Sequence, residues 1–147
     1  MVDVSAKAQT DRTAEAEAVV IFPEDAWAKL AGNGFITKKG AIFDVAITAG
    51  TMALKRTSEI IPFCHTIAID GSSISITPDD ERNALVIRCT VKTTARTGVE
   101  MEAMTGASAA GLTIYDMTKS LGLGIEVRSL RLISKTGGKS DFKNNDN

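Results

Sequence analysis

The chain has 147 residues, 44% of them apolar and 24% charged, with a formal net charge of −1; that is one domain with its own core, not a disordered chain. The charge lacks the basic excess of a general nucleic-acid surface, and no apolar run reaches the length of a membrane span, so neither nucleic acid nor a membrane is an expected partner. Two cysteines and one histidine fall short of the roughly four ligands of a structural zinc site, and the opening MVDVSAKAQTDRT has the form of neither a signal nor a transit peptide; the expectation is a reduced, cytoplasmic protein with no metal.

Residues 14–22 alternate and then run into β-branched side chains, a strand stopped by Pro23. Residues 24–31 form a short helix, closed by the turn Gly32-Asn33-Gly34. From Ala41 to Thr57 the apolar positions Ile42, Val45, Ala46, Ala49 and Ala53 recur at helical spacing. A strand over 67–77 is broken by Gly71, and PDDERN turns it into a second strand over 84–94. There Leu85, Ile87, Cys89 and Val91 point one way and Arg88, Thr90 and Lys92 the other. Thr97 and Glu100 have the spacing of a capping box, opening a helix to about Leu121 with Gly122 as its stop. A last strand over 125–133 changes phase between Val127 and Leu130, which predicts a bulge. The order predicts a single α+β domain over 1–140, a ferredoxin-like sandwich with helices on one face of an antiparallel sheet. The polar residues 141–147 follow as a flexible tail.

Reactive residues gather in four segments. Thr37-Lys38-Lys39-Gly40 precedes a helix and is either a solvated loop or a functional one. Lys55 and Arg56 lead to Pro62-Phe63-Cys64-His65, where His65 is the only imidazole, either packed or titrating near neutrality. Cys64 stands beside it, but adjacent residues seldom aim at one atom, and no thiol-protease signature surrounds them. On the long helix Asp116 and Lys119 share a face in an otherwise apolar segment. They form either a surface ion pair or a pair that exchanges protons with a ligand. Glu102 lies fourteen residues before Asp116, about 21 Å along the axis. One small substrate cannot touch both within one subunit. The small residues 106–111 between them serve either close packing on the sheet or the approach of a neighbouring subunit. Lys135-Thr136-Gly137-Gly138-Lys139-Ser140 is not a P-loop, because Ile133 occupies the place of its first glycine. A Gly-Gly loop with two lysines still suits phosphate. Lysines, arginines, one histidine and a few carboxylates suit acid–base work on a polyanionic small molecule.

Taken together, MVDVSAK (1–7), KKG (38–40), ALKRTSEIIPFCH (53–65), RTGVEMEAMT (96–105), LTIYDMTKSL (112–121) and RLISKTGGKS (131–140) resemble the cyclic pyranopterin monophosphate synthase family, the molybdenum cofactor biosynthesis protein C family. The resemblance runs from Met1 to about Ser140. It implies a ferredoxin-like lyase, a homohexamer built as a trimer of dimers with sites between subunits, and no cofactor. It also implies conversion of 3′,8-cyclo-7,8-dihydroguanosine 5′-triphosphate to cyclic pyranopterin monophosphate with release of pyrophosphate, the substrate coming from a radical S-adenosylmethionine cyclase as pathway neighbour. By motif, Asp116, Lys119 and Lys39 match catalytic positions. Phe63, Cys64, His65, Met101 and Glu102 match substrate-contacting ones, joined by Arg12, Lys55, Glu100 and Lys135. Two residues depart from the family pattern: Thr66 stands where proline is usual and Ala41 where an acid is usual.

The alternative is a non-catalytic ferredoxin-like module that binds an anionic nucleotide or metabolite. It has no use for a carboxylate such as Asp116 in its pocket. An RNA-binding domain on the same fold is disfavoured by an aromatic content of 5%.

Overall fold

Alternation along residues 10–21 places Ala14, Ala16, Ala18 and Val20 on one side of an extended segment, each almost inaccessible to solvent. Such a stripe lets a helix lie close on the strand. The computed structural model describes residues 1–144. Its main sheet has the order β4 (Gly71–Asp79), β5 (Ala84–Ala95), β1 (Thr10–Ile21), β6 (Glu126–Thr136), β7 (Phe142–Lys143), antiparallel throughout. Helix α1 (Glu24–Gly32), a small hairpin of β2 (Ile36–Thr37) and β3 (Gly40–Ala41), helix α2 (Ile42–Leu54) and the single turn α3 (Thr57–Ile60) connect β1 to β4. Helix α4 (Glu100–Thr118) connects β5 to β6. This is the expected ferredoxin-like α+β arrangement. No described helix is long and apolar enough to cross a membrane.

Between sheet and helices lie Leu85, Ile87, Cys89 and Val91 of β5 and the stripe of β1, covered by Ala103, Ala107, Ala110, Ile114 and Met117 of α4. Helix α2 packs across α4 and reaches β4. The crossing is tight: a Cβ on Gly50 would lie 2.7 Å from the Gly106 carbonyl oxygen, and one on Gly106 would lie 2.7 Å from Cys89 Sγ. Gly106, Ala107, Ala110 and Gly111 of the small-residue run serve internal packing, with Gly111 set against Val127 and Val20, while Ser108 and Ala109 are only partly buried. The outer face of the sheet is charged. Arg88 reaches Glu15 at 3.0 Å and Glu17 at 2.7 Å, and Arg131 reaches Glu17 at 2.9 Å, so the buried Glu17 carboxylate is matched by two guanidiniums.

Several boundaries differ from the sequence reading. The helix expected through Thr57 stops at Leu54, because the buried Thr57 hydroxyl donates to the Leu54 carbonyl at 2.9 Å and a new turn starts. Gly71 opens β4 and does not break it; residues 67–70 precede the strand. The capping box does not form. Val99 is the N-cap with no side-chain bond, and Glu100 is drawn instead to Lys135 at 2.9 Å. Helix α4 ends at Thr118, three residues early, where the Thr118 hydroxyl donates to the Ile114 carbonyl at 2.7 Å. The bulge falls at Arg128 as expected, and a second one occurs at Ile133. The β2–β3 hairpin, too short for a periodic signal, was not anticipated. Of the tail, Phe142 and Lys143 pair with β6, and 145–147 lie outside the described residues.

The Gly50–Gly106 crossing generates a stability prediction. Gly50→Ala gains helix propensity but drives a methyl into backbone, so it destabilises the fold by about 1–3 kcal/mol. Urea unfolding measures this; a more stable variant would show that the crossing relaxes freely.

Candidate functional site

The sequence-derived candidates assemble at the two ends of α4. At its C-terminal end, Asp116 is flanked by two lysines. Lys119, held as the C-cap, places Nζ 2.8 Å from Oδ1. Lys39, from the turn between β2 and β3, places Nζ 2.5 Å from Oδ2 and also donates to the Asp116 carbonyl at 3.0 Å. Lys39 thereby satisfies one of the terminal carbonyls of α4 from another element. The Lys119 and Lys39 ammoniums hold the Asp116 carboxyl down at about 2, and Lys119 is raised in turn by Asp116. At neutral pH the carboxylate accepts and the ammoniums donate. Asp116 becomes an effective base only when an anionic ligand draws a lysine away. All three side chains are about half exposed, and exposed pairs add little stability.

At the N-terminal end, Phe63, Cys64, His65, Met101 and Glu102 line one recess of about 210 Å³ together with Thr97, Gly98 and Glu100. His65 Nε2 lies 2.7 Å from the Val2 carbonyl oxygen. A carbonyl only accepts, so Nε2 carries hydrogen, and in the neutral ring Nδ1 keeps the lone pair. Glu102 is 4% exposed. Burial, reinforced by the neighbouring Glu100 charge, raises its carboxyl above the ordinary range. Burial also raises the Cys64 thiol, with Glu102 adding to the effect, which disfavours the thiolate there. Thr66, in the place of the usual proline, donates to the Ser58 hydroxyl at 3.2 Å.

The recess shares Thr97, Gly98 and Glu100 with a cleft of about 250 Å³ that adds Lys7, Arg12, Arg96, Lys135 and Lys139. Burial works against the Glu100 charge, but the Lys135 ammonium with Arg12 behind it keeps its carboxyl below the usual value. Arg12 Nε is buried and has no hydrogen-bond partner among the described residues, and the residue lines the cleft. Next to the cleft, Gly137 has φ +84° and lies against the Asp11 carbonyl, which demands glycine there, and Gly138 lines the cleft beside the Arg12 guanidinium. Of the residues matched from sequence, Arg12, Glu100 and Lys135 fall in this cleft. Lys55 stands exposed at the C-cap of α2 and lines neither hollow. Lys139, the second lysine of the Gly-Gly loop, completes the cleft with Arg96 and Lys7, which carry no sequence-derived role. Their signal was present, since each sits in a segment already marked for other residues.

The arrangement pairs an anion-binding cleft and a partly dry carboxyl–thiol–imidazole recess with a separate carboxylate–lysine cluster at the far end of a 19-residue helix. The sequence pattern described as the MoaC family matches residues 1–138. A Xanthomonas oryzae protein named cyclic pyranopterin monophosphate synthase is 53% identical over 97% of this chain and 86% of its own. A Nostoc protein of the same name is 50% identical over 95% of this chain and 82% of its own. A longer Synechocystis protein, named molybdenum cofactor biosynthesis bifunctional protein, is 44% identical over 96% of this chain and 42% of its own.

The buried Glu102 carboxyl generates a pH prediction. Its folded value lies above the ordinary 4.5, so ionisation favours the unfolded chain as pH rises from 4.5 to that folded value. Glu102→Gln removes this cost. Its gain in stability is absent at pH 4 and present at pH 8 by urea unfolding; an equal difference at both pH values would contradict it.

Proposed function

Since the chain belongs to the MoaC family and is thereby a lyase of molybdenum cofactor biosynthesis, we propose that it converts 3′,8-cyclo-7,8-dihydroguanosine 5′-triphosphate to cyclic pyranopterin monophosphate and pyrophosphate. The observation that carries this reading is the cationic cleft of Lys7, Arg12, Arg96, Lys135 and Lys139, which shares Thr97, Gly98 and Glu100 with the His65 recess. A triphosphate fits the cleft by charge, leaving the nucleoside part to meet Glu102, Cys64 and His65 in the recess. A substrate hydroxyl then attacks the α-phosphorus, the bond to the pyrophosphate oxygen breaks, and Lys7, Arg96 and Lys139 offset the charge gathering on the leaving group. Opening of the five-membered ring and closure of the pterin-type ring are proton transfers. Lys39 and Lys119 serve as acids for these, and Asp116 as base once its lysines are engaged.

The two clusters require partnership between subunits. Separated by about 21 Å along α4, they meet one substrate only if one protomer supplies the cleft and another supplies Lys39, Asp116 and Lys119. Exposed apolar side chains of α3, α4 and β6, among them Ile60, Met101, Leu112 and Leu130, frame a groove of about 260 Å³. They support a homo-oligomer, which we take to be the trimer of dimers implied by the family. The substrate's source, a radical S-adenosylmethionine cyclase, is in keeping with the bifunctional relative, a chain more than twice as long as the part matched.

The direct test is incubation of purified protein with the cyclo-dihydro nucleotide, following pyrophosphate and a pterin product. Binding without turnover would favour the anion-binding module. Asp116→Asn and Lys119→Ala preserve folding but lower turnover at saturating substrate by about 10²–10⁴-fold; near wild-type rates in both would return them to a surface ion pair. Composite sites predict complementation. Inactive Asp116→Asn and inactive Glu102→Gln, refolded together, recover activity in mixed oligomers. A monomer by light scattering that turns over substrate would exclude shared sites.

A further inference from the structure

The hairpin that carries Lys39 has little to hold it. Strands β2 and β3 contribute two residues each, paired Ile36 to Ala41 and Thr37 to Gly40, and a ladder so short is not stable alone. Beside it lies a hollow of about 580 Å³ lined in part by Leu30, Ile36, Lys39, Met117 and Leu121, so core packing does not fix the turn from that side. Its base is anchored. Phe35, at φ +59°, stacks on Phe43 with ring centroids 5.0 Å apart and meets Trp27 edge-on at 5.7 Å. Its N–H donates to the Leu30 carbonyl at 3.0 Å, and its own carbonyl accepts from Ile42 N–H at 3.1 Å.

At the tip one side chain acts on the backbone. The half-buried Thr37 hydroxyl accepts the Lys39 N–H at 3.2 Å and donates to the Gly40 carbonyl in a long bond of 3.5 Å. Gly40 takes φ +111°, a value open to glycine, which lets the chain turn straight into α2. Lys39 otherwise makes its bonds through Nζ, at the end of a flexible stem. Where that stem starts is decided by Thr37.

We propose that Thr37 is the positioning residue for Lys39, its hydroxyl setting the turn so that the Lys39 ammonium meets the Asp116 carboxylate and the end of α4. This rests on the reading of Lys39 as a catalytic group. An ordinary turn-forming threonine would affect stability alone; a positioning threonine also changes what Asp116 experiences.

The experiment follows the Asp116 carboxyl by NMR titration, and kcat and KM with the cyclo-dihydro nucleotide, in Thr37→Val, Thr37→Ala, Thr37→Ser and Lys39→Ala. Trp27 fluorescence verifies that the hairpin base is intact. Lys39→Ala raises the Asp116 midpoint, and Thr37→Val and Thr37→Ala each raise it by at least half as much, while Thr37→Ser leaves it in place. Turnover follows the same order. Thr37→Val loses about 10–100-fold in kcat with KM little changed, Thr37→Ser recovers it, and Thr37→Val/Lys39→Ala is no worse than Lys39→Ala. A wild-type Asp116 midpoint in folded Thr37→Val and Thr37→Ala would overturn the proposal. Wild-type turnover in Lys39→Ala would overturn the catalytic reading on which it rests, and that outcome is read independently of the titration.

Discussion

Helix α4 can carry charged groups at both its ends because its middle is built of small residues. Gly106 and Ala107 lie where Cys89 and the alanine stripe of β1 come up from the sheet, and Gly50 lets α2 cross against the Gly106 carbonyl. Dispersion falls steeply with separation, so a helix seated this closely is well fixed in tilt and rotation. A single rigid rod then carries Glu100, Met101 and Glu102 at one end and Asp116 at the other. Neither group needs its own scaffold, and the distance between them is set by the helix itself.

The electrostatics of the rod follow the same axis. Backbone N–H groups point toward the cleft in which Lys7, Arg12, Arg96, Lys135 and Lys139 gather, so the partial charge of the helix start adds to theirs. At the opposite end the unpaired carbonyls and the Asp116 carboxylate attract Lys39 and Lys119. Glu100 and Glu102 differ although only two residues apart. Glu100 turns to Lys135, which holds its carboxyl below the usual value, whereas burial without such a cation pushes the Glu102 carboxyl above it. Acid and base character at the recess thus comes from burial and partners more than from residue type.

Much of this was legible in the sequence, and the gaps have physical causes. Alternation in β5 and the 3.6-residue period of α2 and α4 report burial, and burial is what patterning encodes; the fold class followed from their order. Features decided by one competing hydrogen bond were not legible. The Thr57 hydroxyl ends α2, and the Lys135 ammonium takes Glu100 from its expected capping role. The hairpin at Lys39 has strands too short to show a period, although Gly40 hinted at a turn. Motif matching marked Phe63 to His65 and Met101 with Glu102 as two separate substrate-contacting segments, and the fold brings them to one recess. It did not separate them from Asp116 as geometry does, but the count of residues along one helix did. Arg96 and Lys7 gained no role of their own because a surface arginine or lysine looks the same in sequence whether it faces solvent or a cleft.

The strand that gives the sheet its centre is also the first to be made and among the last to be completed. On one side β1 pairs with β5, and on the other with β6, whose partners, from Ile21 with Glu126 to Thr13 with Thr136, lie more than 100 residues apart. Ribosomal synthesis therefore releases β1 long before its second neighbour exists. Until then it presents an open edge whose valines and isoleucine invite pairing with another chain. The acids at Glu15 and Glu17 on that strand, awaiting Arg88 and Arg131, place like charges on any premature pairing of two nascent copies. The network that later neutralises the outer face of the sheet thus also protects the growing chain from its own kind.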